Sequence, residues 1–412
     1  MTIEFKPLVL PSSADLARLG DFGREVIGIH PAQATEEQFA ELQKALYQFN
    51  ALLFRNIDLT PEEQFAFVKA FDPGAGIFGH GTKKMQEIKG SILSGYLNSL
   101  PRVPQVQAIG HGSIAEHEGM HELRLNHGHH SSIHKTRILQ EDEEKGYTRF
   151  FRWHMDAALY EFSPPRVTGL YAIKIPDGPK QTVRYDDGSG DELLVPLGTT
   201  AFESGQNTFD ILPPELKSVA VRAKAKYAPK PYEWMSTARF KSTGMGLETE
   251  GLEKGPDQLS TWKEEDIKIL PFVSLFFLSS LGILSFASQC WKNSVTGKLH
   301  MMVHPAAVQE VIVDPVFDEG KKGALYPHGA HLKDLQEVRD LLWKMQRPGI
   351  APSLVYPHDW KEKDLLLWNN RGVMHSVVGH FKRGQVRLLH QCNLAASDDP
   401  VGPSDEDRAL WE

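Results

Sequence analysis

The chain has 412 residues, 41% of them hydrophobic and 24% charged, a globular composition long enough for one large domain or two ordinary ones. A formal charge of -8 and a sequence pI near 6.1 give no basic surface to neutralise a phosphate backbone, so the expected partner is a small molecule rather than nucleic acid. The only two cysteines, Cys290 and Cys392, are too few for a disulfide framework and fit a reducing compartment, and residues 1–20 lack a leader pattern, so a cytoplasmic location is expected.

Two helix openings come first. Thr35-Glu36-Glu37-Gln38 and Thr60-Pro61-Glu62-Glu63 each place a capping hydroxyl three residues before a Gln or Glu that can reach back, and the second adds Pro at the first helical position. Behind them Phe39, Leu42, Leu46 and Phe49, then Phe65, Val68 and Phe71, recur at helical spacing. Between the two helices, Ala51-Leu52-Leu53-Phe54-Arg55 reads as a buried strand.

Residues 100–150 change character. Glycine is frequent, polar residues dominate, and seven of the eighteen histidines fall between His111 and His134, so the segment is read as a long loop or lid. Most of these histidines are expected to be solvated, with one or two touching substrate, because their spacings match no closed zinc site. Strands follow at 167–175, 181–185 and 192–195, the last two joined by the turn residues Asp186-Asp187-Gly188-Ser189-Gly190-Asp191, and then at 308–313, 365–368 and 386–394. Short strands with a few early helices predict a mainly β fold with flanking helices, a jelly roll. Residues 271–290 are apolar and nearly charge-free, but no Lys/Arg asymmetry or aromatic belt marks them as a membrane span, so no membrane partner is expected.

The chemistry rests on His154 and Asp156 in Trp153-His154-Met155-Asp156, together with His375. On a strand, residues two apart face the same way, so one metal can take both His154 and Asp156 while Met155 faces away. Two imidazoles and a carboxylate cover one face of an octahedral Fe(II) and leave three positions for oxygen and an oxidisable cosubstrate. Downstream, the same alternation puts Arg387, Leu389, Gln391 and Asn393 on one strand face. The arginine fork can anchor the far carboxylate of a dicarboxylate that chelates the iron.

Trp153-His154-Met155-Asp156, Gly198-Thr199-Thr200-Ala201-Phe202, Trp368-Asn369-Asn370-Arg371-Gly372-Val373-Met374-His375-Ser376 and Arg387 together resemble the taurine/2,4-D dioxygenase family of Fe(II)- and 2-oxoglutarate-dependent oxygenases. The resemblance runs from about residue 40 to 395 and is strongest toward its fungal xanthine dioxygenase branch, through His154-Met155-Asp156-Ala157-Ala158, Gln181-Thr182-Val183-Arg184-Tyr185 and Trp234-Met235-Ser236. It implies a double-stranded β-helix of the clavaminate synthase-like kind, one dioxygenase domain over 1–412. Its parts are a helical portion at about 1–100, a lid at about 100–150 and a jelly-roll core at about 151–395. It further implies Fe(II) on His154, Asp156 and His375, 2-oxoglutarate held by Arg387 with Thr200 or its neighbour Thr199, O2 as oxidant, and hydroxylation of xanthine to urate.

Where relatives that oxidise sulfonates carry a second arginine, this chain has Gln391. With Asn393 it offers amide donors and acceptors that suit the edge of a heterocycle. Asn126 and Asp142 are further candidates for the substrate side. Two departures stand out: the cation that the resemblance implies near Asn126-His127-Gly128-His129-His130 has no obvious counterpart at the matching place, Arg124 and Lys135 being the nearest candidates, and residues 272–289 are extra to the family pattern. The insertion is read as a translated intron or a gene-model error, which a transcript lacking those codons would support and a spliced full-length message would sink. The altered lid leaves an amino acid or secondary metabolite as an alternative substrate, a non-catalytic cupin-like binding protein is the more distant alternative, and homo-oligomerisation stays open.

Overall fold

Both capping boxes form in the computed structural model, which describes residues 2–76, 98–159, 162–248, 251–264, 267, 287–288, 290–293, 295–317, 324–400 and 402–411. Thr35 Oγ1 accepts from the Gln38 amide at 3.3 Å while Gln38 Oε1 accepts from the Thr35 amide at 3.0 Å, opening the Glu36–Phe49 helix. Thr60 and Glu63 exchange the equivalent bonds at 3.2 and 2.9 Å to open Pro61–Ala70. The apolar stripes of the two helices, Leu42, Leu46, Val68 and Phe71 with the unanticipated Phe67, pack on Leu52, Phe54, Leu365 and Leu367.

Those leucines belong to a nine-stranded sheet. Its order runs Glu4–Pro7, Arg24–Ile27, Ala51–Phe54, Leu365–Asn369, Val167–Lys174, Arg387–Asn393, Val106–His117 and Asn98–Ser99, with Met120–Asn126 pairing off Val106–His117. Alternate residues of the same strands, Ala51, Leu53, Leu170, Leu366, Trp368 and Leu389, point the other way and meet Phe202, Tyr356 and Val373. These last three come from a second sheet, ordered Tyr356–His358, Thr200–Ser204, Val373–Val377. Two sheets closing on a shared apolar interior, with helices on the outer face of the larger one, make the expected jelly roll. Being buried on both faces is why Ala51–Phe54 and Leu365–Asn369 read as continuous apolar runs.

The hairpin signal at 181–195 is correct, with Gln181 opposite Val195 and Arg184 opposite Glu192. Residues 100–150 need correction as a loop. Val106–His117 is a twelve-residue strand antiparallel to Arg387–Asn393, and it forms a hairpin with Met120–Asn126. Beyond Ala108 this hairpin is mostly part-exposed, so its polar residues carry no apolar alternation to reveal it. Gly110 also lies there at φ 143, and a Cβ on it would stand 1.8 Å from the Arg387 carbonyl oxygen. Only glycine lets the two backbones approach so closely. Residues 271–290 lie outside the described residues apart from 287–288 and 290, and among the described residues no helix is long and apolar enough to cross a membrane.

Glu203 has a measurable consequence. It is 1% exposed on the Thr200–Ser204 strand, where Thr208 Oγ1 donates to its Oε2 at 2.7 Å, and burial pushes its pKa up to about 8. Between its ordinary value of 4.5 and about 8 the folded chain therefore holds a proton that the unfolded chain has lost, so this group's contribution to stability falls as pH rises through that window. The Tm of Glu203→Gln should fall less between pH 5 and 8 than that of the parent protein; parallel Tm curves for the two proteins would contradict it.

Candidate active site

The segment carrying His154 is tied to the smaller sheet by a two-residue antiparallel bridge. The His154 amide donates to the His375 carbonyl at 3.0 Å, and the His375 amide donates back at 2.9 Å. Register on the other side of His375 is set by Phe202, opposite it on the Thr200–Ser204 strand. Met155 turns into the core at 1% exposure while His154 and Asp156 share the opposite side, as the two-residue period requires.

Asp156 is held from every direction. Its amide donates to Asn370 Oδ1 at 2.9 Å, and Asn370 Nδ2 returns a bond to its carbonyl at 3.0 Å. Thr168 Oγ1 and Gln391 Nε2 both donate to Asp156 Oδ2, at 2.9 and 3.1 Å. This leaves Oδ1 facing His154 Nε2 at 3.7 Å and His375 Nε2 at 3.6 Å. The Arg152 carbonyl, 3.2 Å from His154 Nδ1, accepts that nitrogen's proton and leaves Nε2 bare. Burial pushes the pKa of both imidazoles down to about 3, so both are neutral, as metal ligands must be. One donor atom from each of the three residues falls within 4.8 Å of the others, a donor set and spacing that fit a hard-to-borderline divalent ion such as Fe(II).

Arg387 lies on the same cavity. It is 2% exposed, Nε donates to the Gly198 carbonyl at 2.8 Å, and Nη2 donates to Thr200 Oγ1 at 3.0 Å. No carboxylate pairs with it among the described residues, and burial alone pulls its pKa down to about 10. Trp360 Nε1 also donates to Thr200 Oγ1, at 3.2 Å, so that hydroxyl has its lone pairs engaged and its own proton to give. Thr199 turns away and donates to the His358 carbonyl at 2.7 Å. Of the two threonines, it is Thr200 whose hydroxyl meets Arg387.

A cavity of ≈ 120 Å³ is lined by the three candidate ligands, Thr200, Arg387 and Gln391, and by Ile109, Gly110, His127, Phe151, Arg152, Leu170 and Val377. Gln391 reaches it as anticipated, although its amide nitrogen is engaged by Asp156. Asn393, next on the same face, needs correction: it does not line the cavity and is fully buried, with neither amide atom hydrogen-bonded. Asn126 does not line the cavity and sits on the exposed side of its strand. Asp142 is a correction: it lies on the short Gln140–Glu144 helix, where Arg184 at 3.0 Å and Lys145 at 3.3 Å hold its carboxylate outside the cavity and below the usual carboxylate range. Its place in the sequence could not show that a partner 42 residues away would claim it.

Besides Arg387, one further arginine lines the cavity. Arg152, two residues before His154 and therefore on its side of the chain, lines the cavity with its guanidinium 5.3 Å from the Phe151 ring centroid, while Arg124 and Lys135 are exposed. The i, i+2 relation to a metal ligand was the signal that could have found it. Nor are the histidines mostly solvated. His130 and His134 are 1% and 2% exposed, His134 Nε2 meets the Phe151 carbonyl at 3.0 Å, and His127 lines the cavity beside Phe151 with its pKa pushed by burial down to about 3.

Known proteins give this geometry a context. The family model described as taurine catabolism dioxygenase TauD, TfdA family matches residues 12–393. The chain is 43% identical over 400 residues to the alpha-ketoglutarate-dependent xanthine dioxygenase xanA of Emericella nidulans, covering 97% of this chain and 98% of that protein. It is 42% identical over 390 residues to the xanthine dioxygenase xan1 of Schizosaccharomyces pombe, covering 94% and 88%. Among solved structures, a taurine dioxygenase from Burkholderia xenovorans superposes with a TM-score of 0.51 at 15% identity over 98% of this chain and 92% of that one, a likeness of fold.

Proposed function

The chain belongs to the taurine catabolism dioxygenase TauD, TfdA family, and from that premise we propose that it hydroxylates xanthine to urate, the whole chain working as one domain. It is a 2-oxoglutarate-dependent dioxygenase using Fe(II) and O2. The observation that carries the reading is a buried arginine with no carboxylate partner among the described residues, opening onto the same cavity as a two-histidine, one-carboxylate cluster. When bound, Fe(II) supplies oxygen activation coupled to oxidative decarboxylation of 2-oxoglutarate.

The protein's own residues then have assignable tasks. His154, Asp156 and His375 hold the metal, with Thr168 and Gln391 fixing which carboxylate oxygen faces it. Arg387 neutralises the far carboxylate of 2-oxoglutarate while the Thr200 hydroxyl donates to it, giving a desolvated, charge-assisted anchor. For the substrate, Arg152 and His127 bring positive charge and a ring edge to the cavity wall, suited to a weakly acidic purine. Ile109, Phe151, Leu170 and Val377 exclude water from the reacting atoms.

The test is anaerobic reconstitution with Fe(II) and 2-oxoglutarate, followed by oxygen and measurement of succinate and urate with and without xanthine. Equal yields of succinate and urate, dependent on xanthine, are expected. Iron-dependent succinate that ignores xanthine across a purine panel would keep the dioxygenase and remove the purine, sending the substrate to the amino acids or secondary metabolites.

A further inference from the structure

Outside the cavity, a second group of ligand-type side chains meets where the His130–Ser132 turn approaches the Gln140–Glu144 helix. His129 Nε2 stands 3.4 Å from Glu143 Oε1 and His130 Nε2 3.0 Å from the same oxygen, and one donor atom from each of the three residues lies within 4.8 Å of the others. Donors about 2.0–2.1 Å from a tetrahedral zinc stand roughly 3.3 Å apart, so the spacing is that of a coordination shell.

The environment of His130 is the independent observation. Its side chain is 1% exposed and neither ring nitrogen makes a hydrogen bond, so the 3.0 Å approach to Glu143 lacks hydrogen-bonding alignment. A buried imidazole that points an unsatisfied nitrogen at a carboxylate costs free energy unless something sits between them. His129 Nδ1 accepts from the Ser131 amide at 3.2 Å and lies 2.6 Å from Ser131 Oγ; a metal on Nε2 would shift the ring proton to Nδ1, where the Ser131 hydroxyl can turn to accept it.

We propose that His129, His130 and Glu143 form a second metal site, for Zn2+, separate from the His154, Asp156 and His375 cluster. Two imidazoles and one carboxylate are a set that zinc accepts, with the fourth position left to water. Zinc bound there joins the turn to the helix and so fixes the backbone two residues beyond His127, which lines the active-site cavity.

Calorimetric titration of Zn2+ into the metal-stripped, tag-free full chain tests this, because the two sites can be removed one at a time. Two equivalents are expected for the parent protein, and one each for Asp156→Ala and Glu143→Gln. The double variant should bind none. His130 is buried, so the half-exposed His129→Ala serves as the second probe should Glu143→Gln fail to fold, and it should also bind one. A parent protein that binds a single equivalent, or an Asp156→Ala background whose remaining zinc is indifferent to Glu143→Gln and His129→Ala, would overturn the site.

Discussion

Asp156→Asn is expected to lower oxygen-dependent succinate release by about 10³-fold or more while leaving the fold intact. Hydrogen-bonding partners of a metal ligand already affect affinity or activity by roughly 10–100-fold, so loss of a ligand's charge should exceed that. The amide keeps one oxygen that can accept from Thr168 Oγ1 and Gln391 Nε2, the two donors now satisfied by Asp156 Oδ2. Asp156→Ala removes that acceptor and strands both donors in the interior, at about 1–3 kcal/mol for each buried group. The pair therefore separates chemistry from folding: both variants lose activity, and only the alanine variant loses appreciable Tm. Bound iron and succinate are the quantities to measure, and an Asp156→Asn protein with near-parental turnover would remove the carboxylate from the metal.

Arg387→Met should raise the KM for 2-oxoglutarate by about 30-fold or more, since breaking one side of a buried charge pair costs about 2–5 kcal/mol and 1.4 kcal/mol is about tenfold. The same change should leave the protein without 2-oxoglutarate as stable as the parent or more so. Its guanidinium is buried with only Gly198 O and Thr200 Oγ1 to satisfy it and no carboxylate among the described residues, and an uncompensated buried charge is destabilising. Melting curves with and without 2-oxoglutarate check both halves. The parent should gain Tm on adding the cosubstrate, by mass action, and Arg387→Met should not. Arg387→Lys keeps a charge but loses the planar fork that reaches Gly198 and Thr200 together, so it should fall between the two. An unchanged KM in Arg387→Met would place the far carboxylate elsewhere.

The sites of these two changes were legible in the sequence for different reasons. His154 and Asp156 are two residues apart, and the strand period alone puts them on one side; their union with His375 came from the order of motifs in a resembled family. Arg387, Gln391 and Asn393 likewise share a face through local alternation. That alternation gave Gln391 the right direction but not its partner, Asp156, which lies 235 residues away in the chain. Asp142 and Asn126 failed as cavity residues because nothing local marks which side of a short helix or a half-exposed strand will meet the cavity.

Patterns with periods of 2 and 3.6 residues thus determined the helices opened by Thr35 and Thr60, the hairpin at 181–195, the buried strands and the shared side of His154 and Asp156, because caps, turns and alternation act over a few residues. Tertiary structure alone decided that the polar 106–126 segment is a sheet hairpin, that Thr200 rather than Thr199 meets Arg387, and that His129 and His130 converge on Glu143. Each of these depends on cross-strand register or on loops packing from separate parts of the chain, such as the pairing of Val106–His117 with Arg387–Asn393. Register is fixed by the burial of whole sheet faces, a collective property that no short window of residues contains.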